Sequence, residues 1–159
     1  MGRDGDLVGT RLARGCRCFV IVQRGELAAY GWLSTGPEWI GELDLEITPG
    51  AGEAYVWNCV TLPTHRRQGL FRALLAGINV LARREGLKRL WIGSVAIPAE
   101  RAVGPSGFRP ALMFESRRAA GLHLVRTRPA GDGHLAADAM RVLAQRAGRR
   151  IRPSRSRRH

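Results

Sequence analysis

The sharpest constraint in this sequence is a change of period at Pro63. From Glu53 to Leu62 the chain alternates in steps of two, with Tyr55, Trp57, Cys59 and Thr61 on one face and Ala54, Val56, Asn58 and Val60 on the other. Pro63 ends that strand. From Gly69 to Glu85 the residues Leu70, Leu74, Leu75, Ile78 and Leu81 recur at helical spacing, Arg72, Arg83 and Arg84 lie mostly off the stripe, and Gly86 suits the C-cap. A second β-rich run, Leu87 to Val95, carries Leu90, Trp91 and Ile92. Strand, helix and strand at these lengths imply a parallel pair joined by a crossover helix.

The other segments are shorter. Arg17–Val22 and Leu27–Leu33 read as a hairpin around Arg24-Gly25. Residues 34–52 are rich in Gly, Pro and acids, with a short strand where Leu43, Leu45 and Ile47 alternate with acids. Pro98 opens a short helix through Ala102, and Gly104–Gly107 breaks it. Strands at Ala111–Ser116 and Leu122–Thr127 bracket a turn at Ala119–Gly121, and a last helix spans Leu135–Ala147. Short connections favour antiparallel pairing outside the crossover, so the expected class is mixed α/β (α+β) with one central, mostly antiparallel sheet and flanking helices. The expected divisions are a leader at 1–16, a domain at 17–147 and an Arg-rich disordered tail at 148–159.

At 159 residues the chain has room for one domain, and 45% hydrophobic content argues against a disordered body. The formal charge of +13 invites a nucleic-acid reading, but residues 141–159 hold eight arginines and no acid. The body keeps 18 cations against 13 acids. Of all 26 cations only Lys88 is a lysine, a bias as consistent with GC-rich coding as with polyanion binding. The tail lacks interleaved aromatics or a nucleic-acid module, so nonspecific polyanion contact is the most it suggests. No apolar run approaches the roughly 18 residues of a membrane span, and the polar stretch Met1–Arg14 has no signal-peptide core. Three cysteines, Cys16, Cys18 and Cys59, form no disulfide framework and point to a reducing, cytoplasmic setting. Cys16-x-Cys18 has no second Cys/His pair at zinc-like spacing, so no metal is expected.

The segment that carries chemistry is Thr61-Leu-Pro-Thr-His-Arg66-Arg67-Gln68-Gly69-Leu70-Phe71, a strand end, a basic turn and a helix start. Unpaired N–H groups at a helix N-terminus lie at the positive end of the macrodipole and suit a phosphate, and Arg66 and Arg67 add full charges. An ordinary capped turn would read similarly. Arg66-x-x-Gly69-x-Phe71 resembles the acyl-CoA pyrophosphate loop of the GNAT superfamily of N-acyltransferases, whose pattern is Gln or Arg, two residues, Gly, one residue, then Gly or Ala. Val60-Thr61-Leu62-Pro63 is similar to the strand end before that loop, and Ser106-Gly107-Phe108-Arg109 to the Gly-Phe after the next strand. The resemblance covers about residues 17–127.

The resemblance implies a parallel pair, 53–62 and 87–95, that splays beside the loop, with the thioester of acetyl-CoA or another acyl-CoA in the gap. Gln68, Gly69, Leu70 and Phe71 would offer backbone N–H groups to the pyrophosphate beside Arg66 and Arg67. The main chain of Cys59, Val60 and Thr61 would pair with the pantetheine amides. A primary amine, small molecule or protein, would attack the thioester directly in a ternary complex, which requires a base, a donor for the carbonyl oxygen and a proton source for the thiolate. Three positions depart from the pattern: Phe71 stands at a small-residue position, Val103 where many relatives carry a tyrosine acid, and Ala96 where relatives often have asparagine. Phe71 fits if it packs on the sheet. The two helices that usually precede the hairpin are also absent from the short leader, so a second subunit or the helix at 135–147 completes the acceptor cleft, or the cleft is open to a large acceptor.

Glu53 and Glu46 are the candidate bases, each against a reading as a solvated loop acid. Glu38, Glu42, Asp44 and Glu46 either attract a cationic amine or form a solvated face. Asn58 is a candidate to orient the carbonyl or acceptor, and Ser94, with Ser106 beside it, to protonate the thiolate. Cys59 reads as a small core residue rather than a nucleophile, and His65 as a loop residue near phosphate. Trp57, Trp91 and Phe108 line an acceptor pocket or belong to the core. The leading expectation is an acyl-CoA-dependent N-acetyltransferase; the alternative is a catalytically silent module of the same fold that binds CoA or a polyanion. A nucleic-acid-binding domain rests on the tail alone.

Overall fold

Alternation and turn chemistry build the first hairpin where the sequence places it. In a computed structural model that describes residues 2–94, 101–119 and 122–143, the strands in chain order are β1 Arg17–Gln23, β2 Glu26–Ser34, β3 Glu38–Ile40, β4 Leu45–Ile47, β5 Glu53–Thr61, β6 Arg89–Ile92, β7 Leu112–Ala119 and β8 Leu122–Pro129. The helices are α1 Val8–Ala13, α2 Leu70–Arg84 and α3 Gly133–Leu143. Gln23 pairs with Glu26 across a two-residue turn in which Arg24 (φ 51°) and Gly25 (φ 82°) are both left-handed, the geometry that matches strand twist in a tight hairpin.

The chain divides into two compact units, Met1–Glu38 with Thr48–Phe108, and Trp39–Ile47 with Arg109–His159. The first holds a four-stranded sheet in the order β1-β2-β5-β6, antiparallel except for the parallel pair β5 and β6. This is the expected mixed sheet with its crossover helix. On one face α2 buries Leu70, Leu74, Leu75, Ile78 and Ala82, and its central residues pack on Leu33, Ala54 and Val56. Leu81, expected on the stripe, is 38% exposed, and Ala82 takes the inward position. Gly86 (φ 76°) turns the chain out of the helix as Leu87 N–H donates to Ala82 O at 2.9 Å.

The register of β5 departs from simple alternation. Trp32 pairs with Trp57 and Tyr30 with Val60, so Gly31 alone faces two residues, Asn58 and Cys59. This is a β-bulge, and Asn58 adopts a left-handed φ of 45° within it. The extra residue reverses the facing expected beyond it: Cys59 packs with Ala54 and Val56 beneath α2, while Val60 joins Trp57 on the opposite face. Gly31 makes room for the displaced thiol. A Cβ there would lie 2.7 Å from Cys59 Sγ and 3.1 Å from Leu74 Cδ2.

The opposite face is covered from a direction the sequence hides. The stretch expected to be a leader forms a 3₁₀ turn, Gly2–Leu7, followed by α1, and lies within the first unit. Arg11 is buried, its guanidinium 5.0 Å from the Trp32 ring centre and 4.5 Å from that of Trp57. Arg14 Nη2 meets Glu38 Oε1 at 2.5 Å, and Cys16 Sγ donates to the same oxygen at 3.1 Å. Glu38, grouped in the sequence with possible solvated acids, is thus 4% exposed and anchors the segment after α1. Burial first, then the Glu38 carboxylate, raise the Cys16 thiol above its ordinary value.

In the second unit β7 and β8 form the expected hairpin, and α3 packs on β4 and β7 with Ala136, Ala139, Val142 and Leu143 buried. Asp132 caps α3, its Oδ1 accepting from His134 N at 2.8 Å and Leu135 N at 3.4 Å, so the helix begins ahead of the first apolar residue, Leu135. Strand β3, not expected from the sequence, pairs with β4. The expected strand end at Val95, the helix start at Pro98, the chain reversal at 120–121, Ala96 and the tail at 148–159 lie outside the described residues.

The Gly31 contact yields a stability prediction. Gly31→Ala is expected to destabilise the protein by about 1–3 kcal/mol through overpacking. The double variant with Cys59→Ala should lose less than the two single losses added together. Urea denaturation of the four proteins checks it, and strict additivity would count against the packing account.

Candidate functional site

The ladder continues past β5, with Leu62 N donating to Ala28 O at 2.9 Å, before Pro63–His65 make a single 3₁₀ turn. Arg66 is extended, and then Arg67 (φ 64°) and Gly69 (φ 76°) are both left-handed, which turns the chain sharply into α2. No side chain caps this helix. Its first backbone bond is Ala73 N to Gly69 O at 3.0 Å, so the N–H groups of Leu70, Phe71 and Arg72 precede it at the positive end of the macrodipole. A Cβ on Gly69 would meet nothing within 4 Å, so the outer face of the turn is open. Arg66, Arg67 and Gln68 are exposed around it, with Arg66 Nε 3.5 Å from Thr61 O. Phe71 packs against the core beneath α2, so its bulk is turned inward.

Beside this turn the parallel strands part. Their ladder has four pairs, from Glu53↔Arg89 to Val56↔Ile92, whereas β5 runs on to Thr61. Toward β2 the far half of β5 stays paired through Val60 and Thr61. On its other edge, from Trp57 to Thr61, no strand lies beside it among the described residues. The bulged Asn58, half-buried, and the main chain of Cys59, Val60 and Thr61 occupy this stretch. Ser94 is exposed, two residues past β6.

The two carboxylates singled out in the sequence belong to different units. Glu53 stands at the start of β5, eight residues from Thr61, about 26 Å at roughly 3.3 Å per residue. It is 7% exposed; Oε2 accepts from Trp91 Nε1 at 2.9 Å and Gly50 N at 3.1 Å, and Oε1 lies 3.4 Å from Arg89 Nη1. Its carboxylate therefore fastens the closed end of the parallel pair rather than facing the open edge. Glu46 is half-buried on β4, in the other unit.

Other candidates resolve into packing. The Ser106 hydroxyl donates to Ala102 O at 2.8 Å, and its backbone oxygen accepts from Asn79 Nδ2 at 2.9 Å. Val103 and Phe108 pack against the core beneath α2, and Trp91 is buried on Glu53. Burial pushes the Cys59 thiol up to about 12, which suits a core residue and not a thiolate nucleophile. His65 meets Gln23 Oε1 through Nδ1 at 3.1 Å, and its Nε2 lies 3.8 Å from Glu26 Oε2. With Arg24, Thr64 and Gln68 these residues line a cavity of about 500 Å³ on the flank of the turn. No local signal announces it, because Gln23 and His65 are 42 positions apart. Among the described residues no group of three or more His, Cys, Asp or Glu is placed to hold a metal ion, and no helix is long and apolar enough to cross a membrane.

Comparison with known proteins agrees with this geometry. Residues 3–104 match the acetyltransferase (GNAT) family, and the chain belongs to that family. Solved structures similar to it include a protein assigned as an acetyltransferase from Pyrococcus furiosus, at 19% identity over 74% of this chain and 75% of that one, with a TM-score of 0.51. An acetyltransferase from Trypanosoma brucei is 18% identical over 66% and 70%, with a TM-score of 0.50. An aminoglycoside 6′-N-acetyltransferase from Acinetobacter haemolyticus is 16% identical over 67% and 72%, with a TM-score of 0.51. At these identities the likeness is one of fold. No curated protein matches the sequence.

The Cys59 thiol gives a pH prediction with a definite sign. Because its folded value is raised, the unfolded chain ionises first, holds fewer protons, and is favoured as pH climbs from about 9 toward 12. Stability should fall over that window, and Cys59→Ala should flatten part of the fall. Denaturation midpoints of both proteins between pH 8 and pH 11 measure it; parallel curves would refute the buried-thiol assignment.

Proposed function

We propose that this protein transfers an acetyl or other short acyl group from acyl-CoA to a primary amine by direct attack in a ternary complex. One observation carries the reading: a strand edge left open beyond four parallel pairs runs directly into an uncapped helix N-terminus flanked by Arg66 and Arg67. The donor set fits a pyrophosphate, with backbone N–H groups from Gln68 to Phe71, two guanidiniums, and an open face over Gly69. The main chain of Cys59, Val60 and Thr61 offers amide partners along the open edge, as an added strand would use them. Acyl-CoA supplies the activated carbonyl; the chain's part is to hold it and to manage protons. Asn58, Ser94 and Glu46 are the retained candidates for orientation and proton handling.

The acceptor is a small-molecule or protein amine. In this reading a second copy of the chain completes the acceptor side, unless that side is open to a large substrate. A cytoplasmic location is consistent with three free cysteines and with acyl-CoA as co-substrate. Residues 148–159 are assigned only nonspecific polyanion contact. A second reading, a silent module that binds CoA or a polyanion, draws support from Glu53 and Ser106, whose polar groups serve the fold.

Calorimetry with acetyl-CoA tests the site. Replacing Gly69 (φ 76°) by valine should weaken binding at least tenfold in protein that still folds, with some loss of melting temperature, since its side chain would project over the open face from a backbone conformation that strains a β-branched residue. Undetectable wild-type binding, or binding indifferent to Gly69→Val, would remove the loop assignment. Thiol release across a panel of amines then separates the readings: tight CoA binding with background release selects the silent module. Deleting residues 148–159 should abolish polyanion contact and leave acetyl-CoA affinity intact.

A further inference from the structure

The turn between β5 and α2 must hold a definite shape if its N–H groups are to converge on a phosphate, and its own backbone does little to fix it. Leu62 N still bonds to Ala28 O of β2, but among the described residues the next backbone bonds are local, His65 N to Leu62 O at 2.9 Å and Arg66 N to Pro63 O at 3.4 Å. Arg67 is left-handed without being a glycine, which costs energy, and no side chain caps α2. From Pro63 to Gly69 every residue is exposed except His65, whose side chain is 16% exposed. That ring reaches across to the first hairpin. Its Nδ1 lies 3.1 Å from Gln23 Oε1, and because an amide oxygen only accepts, the bond places a proton on Nδ1. Gln23 is a fixed point, since it ends β1 and pairs with Glu26 across the two-residue hairpin turn. Glu26 Oε2, 3.8 Å from Nε2 on a side chain 79% exposed, adds little. The cavity of about 500 Å³ on this flank is lined by polar residues only, so the hairpin meets the turn there through a hydrogen bond rather than through packed apolar side chains.

We propose that Gln23 is a positioning residue: by holding His65 it fixes the turn so that the backbone N–H groups from Gln68 to Phe71 face the pyrophosphate together. The inference rests on the acyl-CoA reading above. Gln23 itself touches no reacting atom. Gln68 links the two places, because it lines the cavity beside Gln23 and begins the run of donors. With the Gln23–His65 bond in place the turn is ordered before the ligand arrives. Without it, binding has to order the turn, and affinity falls accordingly. The dependence is confined to ligands that carry the pyrophosphate, since the thioester and the amine are handled along the edge of β5 and not by this turn.

The test is calorimetry with acetyl-CoA on the full chain, on Gln23→Ala, on His65→Ala and on the double variant. Each single change should weaken binding by about 3–10-fold, the range one hydrogen bond contributes. The double variant should bind no more weakly than the weaker single, because both changes remove the same contact. With the panel amine that gives the fastest thiol release, Gln23→Ala should raise KM for acetyl-CoA by the same factor while kcat holds. With acetyl-pantetheine, which lacks the pyrophosphate, kcat/KM should match wild type. A lowered melting temperature with unchanged acetyl-CoA affinity, additive losses in the double variant, or an equal loss with acetyl-pantetheine each overturns the positioning role and leaves the acyltransferase reading in place. Wild type that binds acetyl-CoA but releases thiol only at background overturns acyl transfer alone, and the four affinities still decide the role of Gln23. Wild type that does not bind acetyl-CoA overturns both.

Discussion

Everything distinctive about the site depends on one extra residue in β5. Because Asn58 and Cys59 together face Gly31, the strand bends at the bulge, and the half beyond it faces opposite to what strict alternation would give. The bulge is held from beneath by close packing, since the Cys59 thiol sits where a Gly31 side chain would be and Leu74 of α2 closes the space. β5 thereby stays bonded to β2 through Thr61 while the β6 ladder stops at Val56. An open main-chain edge inside a sheet is a liability unless something is meant to pair with it.

The two ends of the parallel pair have opposite chemistry for the same reason. At the closed end Glu53 gathers Trp91 Nε1, Gly50 N and Arg89 into a buried network. Removing that carboxylate would strand buried donors, so its position is fixed by folding rather than by reaction. At the open end backbone donors, αL turns and exposed guanidiniums converge on solvent. A carboxylate near this region is thus no guide to a base unless its partners are known, and Glu53 shows why: the residue type that suits proton transfer equally suits a clamp.

The crossover and the loop were legible because their signals are local. Alternation from Glu53, helical spacing from Leu70 and the Arg66-x-x-Gly69 turn each lie within a few residues, and the mixed sheet and the family followed from them. What stayed hidden depends on distant partners. Residues 2–14 look polar and leader-like until Arg11 meets two indoles from β2 and β5 and Arg14 meets Glu38. β3 is only three residues long, with acid and proline around it, and its pairing with β4 has no signature of its own. The bulge is invisible for a related reason: alternation assigns faces correctly up to Trp57, and only the register against β2 reveals the inserted residue.

The departures from the family pattern also make physical sense together. Phe71 and Val103, standing where relatives carry a small residue and a tyrosine acid, both pack into the core beneath α2. Extra apolar volume there is compatible with phosphate contact because the backbone N–H groups, not the side chains, face the open turn. The same apolar volume supplies no proton on that face of the sheet. On the opposite face Trp57 packs with Trp32, and the buried Arg11 guanidinium lies over both rings. The total charge of +13 has little bearing on this, since eight of its arginines lie at 141–159. Two residues of the body, Arg66 and Arg67, supply the positive charge where the helix dipole already points.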